Sequence, residues 1–508
     1  MEQEREINTE LKLLAKSSVI VFIGLLLSKI FTYVYRIIIA RVYGPEIYGL
    51  FSLAIMVLGL FVAVFSLGLS EGLTRFIPWY RGKKQEKRIR YVFKISSIVT
   101  ILSGIIAASI LFLLSDAIAT KIFHDANLII FLKIFAFLIP IYMIANIFLS
   151  VLQSFEEITW NSFILNILQN VVKVFALVLF IFLGFETNAV IFSFFLGILS
   201  MLIVSYIVCI RITPIIFRKF ILDEKEKVKI REDFFSYSWP LLFAGIISTL
   251  LFWIDSFSIG YFKTAVEVGL YNAAVPIILL IRFAPEIFLK LFFPMITREL
   301  SKGRKKVVNE LSKQVSKWIF AINLPLFLLI IIFPEQIISI LFGSEYLAAA
   351  NSVRILSIGA FAISSVFISN NILYTLGKSK ILLVNLMSLS ILNIILNALL
   401  VPRYGINGAA FATTISNIIL ATLFFFQAKH YTSIIPFKKK MIRITLVSII
   451  PVLVIIFLKT KIPGTILNFF LLGTFLVLSY GVLIFFTNCL DKNDFMILKS
   501  FKRKLVMS

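Results

Sequence analysis

Five charged side chains lie deep inside stretches of the chain that are otherwise apolar: the cations Arg36, Lys173 and Arg282, and the acids Asp255 and Glu286. A charge at the centre of a membrane-spanning helix costs about 2.5–3.5 kcal/mol on insertion scales, so each of these residues requires a partner or a function. Glu286 follows Arg282 by one helical turn, and an ion pair between the two is one explanation for both. No such neighbour is available to Asp255.

The second half of the chain also offers a set of oxygen ligands. Asn393 and Asn397 are four residues apart and therefore share one helical face, and Thr413 lies one turn beyond Ala409. With the carboxylate of Asp255 and the backbone carbonyl of Ala409, these side chains would suit a small hard cation or a proton. Asparagines that hydrogen-bond neighbouring helices together are the alternative explanation.

The stretches that contain these residues are membrane spans. Of the 508 residues, 60% are hydrophobic and 15% are charged, and the apolar runs of about 20 residues match the thickness of a bilayer core. We predict an all-α polytopic membrane protein with about 14 transmembrane helices. The predicted spans are 17–40, 48–70, 91–114, 128–151, 161–183, 188–210, 234–260, 267–293, 318–334, 348–374, 381–401, 406–428, 442–458 and 463–487.

The distribution of positive charge gives the orientation of these spans. The net charge is +24, but only six of the 50 Lys and Arg residues fall in the loops that would be outside if the N-terminus is cytoplasmic. This asymmetry predicts that both termini are cytoplasmic. The basic loops then act as signals that orient the spans in the membrane, near anionic lipid, and we expect no binding of nucleic acid.

The residues that bind metals or form disulfides are few and isolated. Cys209 and Cys489 are far apart in the sequence, and so are His124 and His430. Neither a disulfide framework nor a metal-ligand spacing follows from them. The outer loops are also too short for a catalytic domain, so we do not expect an enzyme.

A duplication organises the chain. The segment 40–51 and the basic turn at 82–84 recur in the second half at 260–271 and 303–305, and 184–189 pairs with 405–409. Repeats of this kind build many transporters from two similar halves. We therefore predict two pseudo-symmetric six-helix bundles plus two C-terminal helices. The predicted segments are a cytoplasmic N-terminal segment (1–16), an N-terminal bundle (17–210), a cytoplasmic linker (211–233), a C-terminal bundle (234–430), two additional helices (431–487) and a cytoplasmic tail (488–508).

Several motifs resemble those of the polysaccharide and oligosaccharide flippases of the multidrug/oligosaccharidyl-lipid/polysaccharide (MOP) exporter superfamily. They are GPEIYGLFSLA at 44–54, LGLSEGLTRF at 67–76, WID at 253–255, VGLY at 268–271 and PRYGINGAAFATT at 402–414. The resemblance implies two six-helix bundles around a lumen, through which a lipid-linked glycan moves by alternating access. It also implies lipid-linked oligosaccharide and membrane lipids as partners, a monomer, and glycan-assembly enzymes as further partners.

The resemblance also implies roles for particular residues. Family members use arginines in spans one and eight for the substrate phosphate, which correspond to Arg36 and Arg282, with Lys173 as a third candidate. Arg75 and Arg298 end their spans at the cytoplasmic face and are candidates for catching the headgroup, or else membrane-end anchors.

Related lipid II flippases place a sodium site at positions that match five residues of this chain. These residues are Asp255, Asn393, Asn397, Ala409 and Thr413. The implied coupling ion is Na+ or H+, with no other metal or cofactor. Relatives often have a second acid where this chain has Asn397, so the site here carries about one negative charge.

Our leading hypothesis is thus a flippase for polyprenyl-(pyro)phosphate-linked oligosaccharide in the cell membrane. A cation-coupled multidrug antiporter of the same superfamily and a non-transporting membrane scaffold are the alternatives. At the offset that pairs position 40 with position 260, Asp255 falls opposite Tyr35, beside Arg36, and Asn393 falls opposite Lys173. We hypothesise that the two copies diverged, the first to hold an anion and the second to hold a coupling cation.

Overall fold

The computed structural model describes most of the chain and divides it into two compact units, 1–269 and 270–508. The backbone is described at residues 2–218, 222–432, 435–461, 465–489 and 491, and side chains are described there except at 2–26, 287, 289–291, 294, 295, 301 and 379. Of the predicted tail, residues 490 and 492–508 lie outside the described residues. The predicted linker at 211–233 contains the end of one helix and the start of the next, and its role as a boundary between bundles stays a prediction.

The described chain is helical, as predicted, and its helices are long enough to cross a bilayer. Twelve of them are both long and apolar enough to span, and two of the twelve are broken, at Gly44 and Gly405. Each broken helix supplies two spans, so the count is consistent with about 14. The all-α polytopic fold is confirmed.

The first unit is built from the helices up to residue 262 and the beginning of the next. These are α1 (Glu2–Phe65), α2 (Leu69–Gly82), α3 (Glu86–Ala117), α4 (Leu128–Ser154), α5 (Ile158–Ser162), α6 (Gln169–Phe182), α7 (Asn188–Ile212) and α8 (Glu224–Phe262). A π-helical segment, Phe163–Leu168, joins α5 to α6 into one span, and another, Ile118–Ile122, extends α3.

The second unit contains the remaining helices. They are α9 (Ala265–Leu279, which begins in the first unit), α10 (Phe283–Ser301), α11 (Lys305–Ile332), α12 (Pro334–Leu341), α13 (Ala350–Ser365), α14 (Phe367–Thr375), α15 (Ser379–Thr432), α16 (Lys439–Lys461) and α17 (Ile466–Phe486). A 3-10 turn, Leu280–Arg282, separates α9 from α10.

Glycines with positive φ turn α1 and α15 into helical hairpins. Gly44 has φ 76°, and the rings of Tyr35 and Phe51 on either side of it meet at 5.8 Å. Gly405 has φ 54°, and a Cβ on Gly408 would lie 2.4 Å from the carbonyl oxygen of Leu400. A residue without Cβ is needed at Gly44 and Gly405 because only glycine adopts such φ values readily.

The two copies of the repeated motif meet at a pair of glycines. A Cβ on Gly49 would lie 1.8 Å from the carbonyl oxygen of Ala265, and a Cβ on Gly269 would lie 1.9 Å from that of Pro45. The repeat pairs position 45 with 265 and position 49 with 269, so the contact is reciprocal. Small residues allow this close approach of helix backbones in a membrane. The duplication seen in the sequence is therefore also a structural contact between the first hairpin and α9.

A cluster of charges in the second unit joins the segment after α17 to two other helices. The carboxylate of Asp491 accepts hydrogen bonds from Lys317 on α11, at 2.8 Å, and from Lys438 before α16, and it also pairs with Lys440. Lys317 is only 1% exposed. Partial burial would raise the pKa of the Asp491 carboxyl, but the hydrogen bonds from the three lysines outweigh it and hold the pKa well below its ordinary value.

We predict that Gly49→Ala destabilises the protein. The added methyl group would overlap a backbone carbonyl that cannot rotate away, and overpacking of this kind costs about 1–3 kcal/mol. Thermal unfolding in detergent measures the change. Gly245→Ala on α8 is the matched control, since a Cβ there meets nothing within 4 Å. Equal melting temperatures for the two variants would contradict the close approach.

We also predict that Asp491→Asn lowers stability at neutral pH, by about 1.5–3 kcal/mol for the lost charged hydrogen bonds. Because the folded-state pKa of Asp491 is depressed, its contribution is complete above the ordinary carboxyl pKa of about 4 and is lost as the pH falls below that value. The melting-temperature difference from wild type should therefore shrink in acid. Glu310→Gln, which removes only the exposed pair with Lys313, is the control. A melting-temperature difference that does not change with pH would contradict the stabilising role of the Asp491 carboxylate in this cluster.

Candidate functional site

Two of the predicted cations lie together in the first unit. Arg36, on the first arm of the α1 hairpin, donates a hydrogen bond to the hydroxyl of Tyr48, a fully buried residue on the second arm. Lys173 projects from α6, and the positive charges of Arg36 and Lys173 are close enough to repel each other. The structure thus brings Arg36 and Lys173 into one cluster, which we call the cation pair.

Lys173 occupies a niche against α7. Its ammonium lies 4.5 Å from the centre of the Phe194 ring and 3.4 Å from the amide oxygen of Gln169. A Cβ on Gly197 would lie 2.3 Å from Cγ of Lys173, so the niche exists because position 197 has no side chain. Gly197 was not identified from the sequence. The sequence shows a single glycine in the middle of span six, but nothing in the sequence relates that glycine to Lys173.

The charge of the cation pair is not neutralised within the described structure. Neither Arg36 nor Lys173 forms an ion pair with any described carboxylate. The ring of Phe194 and the hydroxyl of Tyr48 offset part of the cost through cation–π and hydrogen-bond contacts. Two adjacent positive charges in membrane spans still favour an anionic ligand.

An amide-rich face continues from Lys173 along the same span. Asn166, Gln169 and Asn170 precede it at helical spacing. Asn170 donates to the hydroxyl of Ser28 at 3.2 Å, and Gln169 accepts from Lys173. These three amides were not among the predicted site residues, although their helical spacing from Lys173 was readable from the sequence.

Arg75 makes a different kind of contact from the cation pair. Its guanidinium lies 4.0 Å from the ring centre of Tyr237 on α8 and 5.6 Å from that of Phe76. Arg75 is exposed, and its described contacts do not include Arg36 or Lys173. Stacking on two aromatic rings fits the anchoring explanation at least as well as headgroup capture.

The two predicted arginines of the second unit are both exposed. Arg282 ends the 3-10 turn before α10, and the pairing with Glu286 that their spacing allowed is not among the ion pairs of the described residues. Arg298 lies 3.5 Å from the carboxylate of Glu299, which also pairs with Lys302 and Arg304. Arg282 therefore keeps its charge available, whereas the charge of Arg298 is shared in a local network.

The oxygen ligands predicted in the second unit form a hydrogen-bonded network across the α15 hairpin. The amide nitrogen of Asn393 donates to the hydroxyls of Thr413, at 3.2 Å, and Ser416, at 3.3 Å. The amide of Asn397 donates to the backbone carbonyl and to the side-chain oxygen of Asn393, both at 3.0 Å. Ser416 is a member that was not predicted from the sequence.

This network resembles polar bonding between helices as much as an ion site. Asn393 and Asn397 are buried, at 7% and 0% exposure, and Ala409 is fully buried one turn before Thr413. Asp255 lies half-buried on α8 of the first unit. The structure thus groups Asn393, Asn397 and Thr413, and it leaves the role of this group in ion binding a prediction.

Equivalent positions of the two units both contact the following span, but through residues that are one position apart in the repeat. Lys173 packs against residues 194 and 197 of the following span, and Asn393, its equivalent in the repeat, bonds residues 413 and 416 of the following span. The equivalent of Gly197 is Asn417. The same place in the fold therefore holds a cation in the first unit and an amide in the second.

Comparisons with known proteins agree with this architecture. A family model described as "Polysaccharide biosynthesis protein" matches residues 14–298, and a second, MatE, matches 240–399. An uncharacterized membrane protein of Methanocaldococcus jannaschii is 27% identical over 476 residues, which cover 89% of this chain and 90% of the relative. A putative O-antigen transporter of Shigella flexneri is 23% identical over 76% of this chain and 90% of its own length.

A solved structure shows the same fold. The lipid II flippase MurJ in an inward closed conformation superposes with a TM-score of 0.71 at 19% identity, and the match covers 92% of this chain and 99% of that one. The first family model alone spans more than half of the chain. The chain therefore belongs to the polysaccharide biosynthesis protein family.

Proposed function

We propose that this protein is a flippase that moves polyprenyl-(pyro)phosphate-linked oligosaccharide from the cytoplasmic to the outer leaflet of the cell membrane by alternating access. The observation that carries the proposal is the cation pair, Arg36 and Lys173, which has no described carboxylate partner. A phosphate or pyrophosphate is the anion that would balance this charge in a lipid-linked glycan. The named activities of the Shigella and MurJ relatives support the same substrate class.

We further propose that transport is coupled to Na+ or H+. Asn393, Asn397, Thr413 and the carbonyl of Ala409 would supply neutral oxygens, and Asp255 would supply the charge. In the described arrangement, the amide nitrogen of Asn393 points at Thr413 and that of Asn397 points at Asn393, so ion binding at Thr413 would require the Asn393 amide to turn. The protein would act as a monomer, with both termini cytoplasmic, beside the enzymes that assemble the glycan.

A multidrug antiporter is the second candidate, because the MatE model matches residues 240–399. The charge of the first unit argues against it. Organic cations, which such antiporters export, would be repelled by a pair of uncompensated positive charges. Efflux of a cationic dye from proteoliposomes would separate the candidates, since the flippase proposal expects none.

We expect Arg36→Ala and Arg282→Ala each to abolish glycan export without preventing membrane insertion. Each change removes a cation proposed to bind the substrate phosphate, and a charged hydrogen bond of this kind contributes about 1.5–3 kcal/mol. The measurement is surface glycan and accumulated lipid-linked oligosaccharide in cells that lack the protein and express each variant. Arg81→Ala removes an exposed arginine paired with Glu156 and is the control. Normal export in both variants would refute the arginine assignment.

We expect Gly197→Ala to reduce export as well, although no charge is changed. The new methyl group would overlap Cγ and Cε of Lys173 and force the ammonium out of its niche. Export rates at equal protein levels in the membrane measure the effect. Gly245→Ala again serves as control, and equal rates for the two variants would show that the position of Lys173 is unimportant.

The coupling proposal predicts that Asp255→Asn removes the dependence of transport on Na+ or on a pH gradient. The carboxylate is the only charge in the proposed ion set, and an amide would bind Na+ weakly and carry no proton. Glycan-lipid transport into proteoliposomes with and without each gradient measures this dependence. A variant that keeps the full response to the same ion would exclude Asp255 as the coupling residue.

A further inference from the structure

The span built from α5, the π-helical segment and α6 carries polar side chains that are not needed to hold it against neighbouring helices. Asn166, Gln169 and Asn170 stand seven, four and three residues before Lys173. The first of these lies in the π-helical segment, which widens the helix locally. Such segments are rare within helices and occur frequently at functional sites. We call Asn166, Gln169 and Asn170 the amide face.

Most of the amide face bonds to its own helix. The side-chain nitrogen of Asn166 donates to the hydroxyl of Ser162 at 3.1 Å, and that of Gln169 donates to the backbone carbonyl of Leu165. Among the side chains that the structure describes, Asn170 alone of the three reaches another helix, through Ser28 on α1. Asn166 and Gln169 are also half-exposed rather than buried. Within the described side chains, these two amides therefore do not hold neighbouring helices together.

In the second unit, by contrast, amide side chains form hydrogen bonds between helices. Asn385 and Gln427 exchange two hydrogen bonds, at 2.7 and 3.0 Å, between the two arms of the α15 hairpin. Asn393 likewise bonds across the hairpin to Thr413. Asn385 and Gln427 thus bridge helices, as Asn170 does in the first unit, whereas the described hydrogen bonds of Asn166 and Gln169 stay within their own span. Polar bonding between helices explains Asn385 and Gln427 but leaves Asn166 and Gln169 unexplained.

An amide offers both a donor and an acceptor, which is the combination that sugar hydroxyl groups require. The first sugar of a lipid-linked glycan is bonded directly to the phosphate, so it must lie next to whatever holds that phosphate. Asn166 and Lys173 are seven residues apart, or about 10 Å along a helix axis. That distance accommodates a phosphate at Lys173 and the adjoining sugar along the amide face.

We propose that the amide face binds the hydroxyl and acyl-amino groups of the sugars nearest to the phosphate, while the cation pair binds the phosphate itself. This inference rests on the proposed flippase function and assigns the carbohydrate part of its substrate. With the N-terminus cytoplasmic, the span runs outward, so Asn166 lies on the cytoplasmic side of Lys173. The glycan would then extend towards the cytoplasm when the substrate is loaded.

The test compares two ligands that differ only in sugar. Purified protein in nanodiscs is titrated with polyprenyl diphosphate and with the lipid-linked oligosaccharide extracted from cells lacking the protein, and binding is followed by native mass spectrometry. We expect wild type to bind the oligosaccharide-bearing lipid at least about tenfold more tightly than the bare lipid. Asn166→Leu/Gln169→Leu should lose this preference, and Asn166→Leu alone, which leaves the hydrogen bond from Lys173 to Gln169 intact, should reduce the preference and keep its affinity for polyprenyl diphosphate. Lys173→Met should weaken the binding of both ligands.

Asn385→Leu/Gln427→Leu is the matched control, because it removes two amides that bond each other and leaves neither unpaired. It should retain the preference of wild type. Retained binding of polyprenyl diphosphate shows that a variant is folded, and the single change Gln169→Ala provides a milder second variant.

The outcomes separate the two proposals. If wild type binds neither lipid, the proposed function fails. If wild type binds both lipids equally, or if the Asn166/Gln169 variants keep the full preference for the oligosaccharide, the carbohydrate assignment fails while the flippase proposal stands.

Discussion

A polar side chain in a membrane-spanning helix must find its partner within the protein, because the bilayer offers none. The two units of this protein meet that requirement in different ways. In the second unit, Asn393 and Asn397 close a network with hydroxyls across a helical hairpin. In the first unit, Arg36 and Lys173 stay close together without a described carboxylate. The asparagines of the second unit thus bond to each other and to neighbouring hydroxyls, whereas the cations of the first unit call for an anionic ligand.

This difference occurs between two copies of a similar backbone scaffold. Gly49 packs against Ala265, and Gly269 packs against Pro45. The repeat offset that pairs Gly49 with Gly269 also pairs Pro45 with Ala265. Positions 173 and 393 also both contact the following span, although not through equivalent residues of it. The copies therefore share their backbone packing and differ in their polar side chains. Such divergence is one way in which a repeat protein can give its halves separate tasks.

Lys173 illustrates how a small residue can decide the chemistry of a site. The ammonium is placed beside Arg36 because Gly197 leaves room for the aliphatic part of the side chain. The equivalent position in the second unit is Asn417, and the equivalent of Lys173 there is an asparagine. A glycine can thus determine whether a bulky cation is accommodated within the helix bundle, without contacting any ligand itself.

The sequence alone determined the class of the protein, its spans and its duplication. These depend on composition, on runs of apolar residues and on motif spacing, which are properties of local stretches. It also identified the charged residues within spans, because their cost in a bilayer does not depend on the details of packing. The sequence-based family assignment was confirmed by the family models and by the fold of MurJ. The proposed roles of the individual site residues stay predictions.

Only the tertiary structure decided which of those charges lie together. Arg36 and Lys173 are far apart in the sequence, and their proximity results from the packing of α1, α6 and α7. Arg75 stacks on Tyr237 and Arg298 pairs with Glu299, contacts that their positions at span ends did not predict. The sequence shows the helical spacing of the amide face. Whether each amide forms a hydrogen bond with its own helix or with a neighbouring helix depends on the direction of its side chain. Contacts between distant helices are the information that a local pattern does not contain.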